Sequence, residues 1–230
     1  MSTSGTYTFN PSLGEITLYS YNLCGIRNTS LAQEHMEAAR MAANMLLARW
    51  SNQGVNLWCV DLVTVPLVQA QKTYTVDPTT VMVLDAYVVI LNSANQPIDR
   101  IILPISRTEY ASYPNKDQQG FTTTYWFDRL LSPTINLWPV PDGTSAQLLK
   151  YYRVRRIQDS EFTNGQQVEI PYLWLEAFAY GLAARLAVIW APNVYPTLKA
   201  EAAEAYQIAA DQNTEYAQQY ISPQIQGYFR

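Results

Sequence analysis

The chain predicts an α+β protein: a helical bundle formed by an N-terminal helix and two C-terminal helices, with an antiparallel β-domain inserted between them and a C-terminal arm. Three observations predict it. Apolar residues recur at helical spacing from Leu31 to Trp50 and again after Pro171. Between Val55 and Ile157 the pattern becomes a two-residue alternation punctuated by proline and glycine turns. Beyond Gln218, aromatic residues alternate with Gln, Pro223 and Gly227 in a stretch too broken for a packed element. The boundaries are 1–29 for an N-terminal arm, 30–54 and 171–217 for the bundle, 55–157 for the inserted domain, 158–170 for a connecting loop and 218–230 for the C-terminal arm.

In the N-terminal arm, Pro11, Gly14 and Gly25 act as breakers and Glu15 to Tyr21 alternates as a short strand. Ser30 then caps the first helix, with Gln33 closing a capping box. Leu31, His35, Ala38, Ala42, Met45, Leu46 and Trp50 form its apolar stripe, and Gly54 ends it in a left-handed conformation. His35 is the only histidine and has no neighbours suited to a metal or proton-transfer site, so it is read as structural.

In the inserted domain, Leu57 to Val65 reads as a strand that turns through Pro66 to Lys72 and pairs with Thr73 to Val76. Val81 to Leu91 is apolar enough to be buried on both faces. After Asn95-Gln96-Pro97, Ile101 to Ile105 returns, with Pro104 confined to an edge or an exit. Ser106-Arg-Thr-Glu109 opens a short helix that must stop before Pro114, and Thr122 to Asp128 gives another strand. Thr134 to Trp138 and Ala146 to Val154 read as a hairpin, the first strand ended by Pro139 and Pro141 and the reversal supplied by Asp142-Gly143. The second strand ends in a basic cluster, Lys150, Arg153, Arg155 and Arg156. Alternation divides these between two faces, which suits salt bridging, within the solvent-exposed surface or between subunits, better than a continuous DNA-contacting stripe.

Pro171 takes the first position of the second long helix. Apolar side chains occur all round it through Trp190, with Glu176 and Arg185 inside the run. Each of those charges would cost about 2.5–3.5 kcal/mol at a membrane centre, so a buried helix is expected and no membrane partner. Trp174, Phe178, Leu182, Arg185 and Leu186 are its candidate intersubunit face. Pro196 opens a slender, alanine-rich helix through Tyr216, anchored by Leu198, Tyr206 and Ile208.

Composition limits the function. With 48% hydrophobic and 15% charged residues in 230, the chain has more apolar surface than a lone protomer hides easily, so an oligomer is expected. A net charge of −4 argues against gripping phosphates. Cys24 and Cys59 form no CxxC and read as free thiols, and no metal, cofactor or catalytic motif is found.

The series I-x-L-W-P-x-P-D (Ile135 to Asp142), L-x-x-Y-Y-R (Leu148 to Arg153), L-L-x-R-W-x-x-x-G (Leu46 to Gly54) and V-P-L with Q-x-T-Y-T-V (Val65 to Val76) resembles the head-to-tail adaptor proteins of tailed phages. Ala70 stands where that family commonly has glycine. The resemblance implies a non-enzymatic virion protein of the neck, assembled in the host cytoplasm. It implies about twelve copies in a ring that joins the portal protein to a tail or nozzle protein, extends the DNA channel, helps retain packaged DNA and lets it pass without sequence-specific binding. It also implies a portal-docking arm, whose anchors here are Tyr216, Tyr220, Ile221, Pro223, Ile225, Tyr228 and Phe229. One alternative is a neck-associated cell-wall hydrolase using paired carboxylates among Asp159, Glu161 and Glu169. Another, a sequence-specific nucleic-acid module, lacks a basic face and a binding motif.

Overall fold

A computed structural model of the chain describes residues 3–54, 57–91, 96–144, 146–162 and 165–213. Five helices carry a curled seven-stranded sheet inserted between the first two and the last two, with a short helix inside the sheet region.

Leu13–Leu23 is helix α1, not the expected strand. The Ser12 hydroxyl accepts the Glu15 N–H at 3.3 Å, while the Glu15 carboxylate accepts the Ser12 N–H at 2.8 Å. This Ser-x-x-Glu capping box is the helix-start signal that the alternating Thr, Tyr and Ser masked. Leu13, Ile16 and Tyr21 are buried, and the Ser20 hydroxyl reaches the Ala179 carbonyl at 3.0 Å.

Gln33–Gln53 is helix α2. It starts after Ser30, which lies in a separate 3-10 turn, and His35 Nδ1 accepts the Ala32 N–H at 3.1 Å, so His35 caps where Ser30 and Gln33 were expected to. The same imidazole stacks on Trp190 at 4.1 Å between centroids and meets Tyr21 edge-on. The buried stripe is Ala39, Ala43, Leu46, Leu47 and Trp50, whereas Met45 is 57% exposed. Gly54 ends the helix at φ 74°.

Leu175–Trp190 is helix α4 and Tyr195–Gln212 is helix α5, α3 being Arg107–Ser112 within the sheet region. A 3-10 turn, Tyr172–Trp174, precedes α4, so Pro171 caps that turn and is not the first helical residue. Helix α4 packs against α1, α2 and α5 and is the centre of the bundle. Gly181 lets α2 approach, because a Cβ there would sit 2.9 Å from a Leu46 methyl. Leu198 and Ala209 of α5 are buried, but Ile208 is 61% exposed and anchors nothing.

The strands are β1 Val60–Pro66, β2 Thr73–Thr75, β3 Thr80–Leu91, β4 Pro97–Pro104, β5 Gln119–Gly120, β6 Thr124–Asp128, β7 Thr134–Trp138, β8 Val140–Pro141 and β9 Gln147–Arg155. The large sheet has the order β1-β9-β3-β4-β6-β7-β2. The hairpins expected of β1 with β2 and of β7 with β9 do not form, since β1 pairs with β9 and β2 with β7, in both cases antiparallel, whereas the expected return of β4 onto β3 does form, also antiparallel. The β4–β6 junction is parallel, and so is the two-residue pair of β5 with β8; the domain is therefore not wholly antiparallel. Curling brings Tyr125, Ile135 and Leu137 of one half onto Val88, Leu149 and Tyr151 of the other, which makes a second core. Strand β3 is not buried on both faces, since Leu84 and Leu91 are 38% and 43% exposed.

Ala70 adopts φ 60°, and its N–H donates to the Pro141 carbonyl at 2.9 Å. A residue with a Cβ therefore occupies the left-handed position that glycine would take more easily. The reversal after β8 is present, with Gly143 at φ 75° and the Asp142 carboxylate accepting the Thr144 N–H at 3.1 Å.

Candidate functional site

Arg153 and Arg155 of β9 are paired within their own chain. The Arg153 guanidinium lies 3.4 Å from the Asp61 carboxylate, 3.5 Å from Asp77 and 3.1 Å from the Thr80 hydroxyl. Arg155 reaches Asp61 at 3.2 Å and makes a two-pronged contact with Glu169. The Glu169 carboxylate also accepts the Gln158 N–H at 2.9 Å, and the Trp58 indole N–H donates to the Glu169 carbonyl at 3.1 Å. Asn44 holds the same loop at two points, accepting the Ser160 N–H at 2.8 Å and donating to its carbonyl at 2.9 Å. These bonds fasten the sheet to the bundle. Of the expected basic cluster, Arg153 and Arg155 are spent in this chain, while Arg156 is exposed and Lys150 half-buried.

The expected intersubunit residues divide in the same way. Trp174, Phe178, Leu182 and Leu186 are at most 2% exposed, covered by α1, α2 and α5, so they belong to the protomer's core and present nothing to a neighbour. Trp174 joins an aromatic cluster with Trp50, Trp58 and Tyr206, at centroid separations of 5.0, 5.4 and 5.6 Å.

That cluster borders a groove of about 490 Å³ between α2, α4 and α5, lined by Trp50, Ala177, Gly181, Tyr195, Ala203 and Tyr206 among others. Arg49, Arg185 and Lys199 converge on it. Among the described residues none of the three has an ion-pair partner. Desolvation holds Arg185 below the usual guanidinium range, and the like charge of Arg49 adds to the effect. Of the three cations, Arg185 is one of the expected intersubunit residues and Arg49 falls in the Leu46 to Gly54 motif, whereas Lys199 carries no signal; Arg49 and Lys199 lie 150 residues apart, and no local pattern joins them.

A second groove, of about 370 Å³, lies between α1 and the start of α4 and is lined by Phe9, Ile16, Tyr19, Leu175, Glu15 and Glu176. At 100° per residue, Leu175, Glu176 and Ala179 lie on the side of α4 opposite Ala177, Gly181, Arg185 and Val188. Desolvation raises the Tyr180 phenol, and Tyr19, Glu201 and Glu176 push it the same way. At 100° per residue, Glu201 lies on the side of α5 opposite Lys199 and Tyr206.

The candidate hydrolase acids do not form a site. Arg155 holds the Glu169 carboxyl below its ordinary value, the reverse of what a general acid needs, and Asp159 and Glu161 are exposed. Cys24 and Cys59 are buried, and burial pushes both thiols up to about 11, away from nucleophilic use. Among the described residues no three His, Cys, Asp or Glu side chains could hold a metal. One helical segment, Tyr172–Trp190, has the length and hydropathy of a membrane span, and half of it is buried inside this protein. The expected docking arm, with Tyr216, Tyr220, Ile221, Pro223, Ile225, Tyr228 and Phe229, lies outside the described residues.

Residues 28–226 match the family described as SU10 adaptor protein, a stretch that takes in the sheet and every helix except α1. No curated protein matches the chain.

Proposed function

We propose that this chain, which belongs to the SU10 adaptor protein family of phage head-to-tail adaptors, is a structural component of the virion neck. In this reading it assembles in the host cytoplasm, copies of it close into a ring between the portal and the tail, and the ring extends the DNA channel and helps retain packaged DNA. The work is binding and sealing, without bond chemistry. The observation that carries the reading is the family match over 28–226, because it spans the sheet together with α2, α4 and α5.

Three features support the finer points. The net charge of −4, with Arg153 and Arg155 neutralised inside the chain, leaves a surface that lets a duplex pass without gripping it. Glu169 is held ionised by Arg155, which disfavours the paired-carboxylate alternative. The segment 218–230 is rich in Tyr, Phe and Ile, the side chains that anchor interfaces, and we assign it to the portal.

The test uses DNA-filled heads that carry the portal and lack neck proteins. The full chain should co-sediment with them and protect their DNA from added nuclease. A chain lacking 218–230 should keep its circular dichroism spectrum and lose both effects. Failure of the full chain to bind such heads would overturn the adaptor reading, and normal binding by the shortened chain would overturn the docking arm.

A further inference from the structure

The two flanks of the bundle carry opposite charge, and among the described residues neither is neutralised. On one side, Arg49, Arg185 and Lys199 ring a groove of about 490 Å³ with Trp50 and Tyr206 in its wall. On the other, Glu176 is exposed beside Tyr19, which is 51% exposed, in a smaller groove. Glu201 follows on α5, where helical geometry puts it, with the 61% exposed Ile208, on the side away from Lys199 and Tyr206. Among the described residues neither these acids nor the three cations have an ion-pair partner. A desolvated, unpaired cation such as Arg185 costs stability unless an anion meets it.

We infer that the occupant of the basic groove is a second copy of this chain, presenting its Tyr19, Glu176 and Glu201 flank. The surfaces are different, so the contact is heterologous, and a heterologous contact repeats head to tail until rotation closes it. The complementarity fixes the direction of packing: each bundle offers acid to one neighbour and base to the other. This rests on the ring reading above and adds to it the surfaces that make the ring. The outer face of the sheet, where Leu62, Ile101 and Tyr152 are exposed, is the competing contact.

The test is charge reversal with mixing. One full-length variant carries Arg49→Glu and Lys199→Glu, the other Glu176→Lys and Glu201→Lys; all four positions are exposed, so both should fold with unchanged circular dichroism. Copies bound per portal-bearing head, read by quantitative densitometry, should fall about tenfold for either variant alone, the size of effect that like charges facing each other produce. An equimolar mixture should recover most of the loss, since each variant's reversed flank then meets its complement. Wild-type occupancy by the single variants, or a mixture as poor as either alone, would overturn the flank assignment and leave the adaptor reading standing. Absence of wild-type binding would overturn both.

Discussion

On β9, Arg153 and Arg155 end on carboxylates of their own chain, whereas on the bundle Arg49, Arg185 and Lys199 converge without one among the described residues. Arg153 and Arg155 on β9 and Arg185 on the bundle are all partly buried, so proximity to apolar surface does not distinguish them. What does is whether the fold brings an acid to them. Asp61 arrives through the β1–β9 register and Glu169 through the loop that Asn44 clamps, and the resulting bonds are the hinge of the protein's own architecture. The bundle groove is supplied with aromatic and small side chains and no acid, which leaves its charge for something else. A cluster of arginines in a sequence is therefore no guide to an interface until its partners are known.

The largest effect should come from the core beneath both sets. Leu182 is fully buried within the protomer, so Leu182→Asp should abolish folding outright, read as loss of the cooperative thermal transition. Leu182→Ala should cost about 2–5 kcal/mol in urea titration. A folded Leu182→Asp protein would place α4 at a surface and dissolve the distinction drawn here.

Next in size is the paired cation. Arg155→Met leaves Glu169 without its main partner and should destabilise the chain by about 1.5–3 kcal/mol near neutral pH, at the lower end because both groups retain some water. The pH dependence follows from the same bond. Glu169's folded pKa is depressed, so its contribution is fully present above the ordinary carboxylate value of 4.5 and is lost as the pH falls through the lower folded value. Urea midpoints measured on both sides of that window should show a smaller acid-side loss in Arg155→Met than in the wild type.

The unpaired cation should behave in the opposite sense. Arg185→Met removes a desolvated charge repelled by Arg49, so the isolated protomer should be unchanged or more stable, by up to about 1 kcal/mol. A loss comparable to that of Arg155→Met would mean that the bundle cations are structural too. Smallest of all, Ala70→Gly should raise stability by about 0.5–1 kcal/mol, the left-handed strain at φ 60° being only partly offset by glycine's extra freedom when unfolded.

The sequence made the three long bundle helices legible because their signals are local. Apolar spacing, Gly54 and Pro196 together locate α2 and α5 within a few residues, and the apolar run after Pro171 identifies α4 as the buried one. Helix α1 was readable in the Ser12 to Glu15 capping box but was outweighed by an apparent alternation. The sheet was legible as strands and only partly as pairings: the return of β4 onto β3 could be read, the partners of β1 and β2 could not. Val60 meets Val154 and Thr75 meets Thr134, and no turn residue between neighbouring strands records such distant partners. The intersubunit assignment of Trp174, Phe178, Leu182 and Leu186 failed for a related reason. A helix that is apolar all round reads the same whether its own chain or another covers it, and only the arrangement of α1, α2 and α5 decides.

The claim most open to direct trial is that copies meet through opposite charges on the bundle and not through the apolar outer face of the sheet. Sedimentation equilibrium of the full chain across a range of sodium chloride concentrations separates the two, because salt screens charged contacts and spares apolar ones. The account predicts association that weakens steeply as salt rises toward about 1 M, where the screening length falls to roughly 3 Å. Association that holds or strengthens over that range would contradict it.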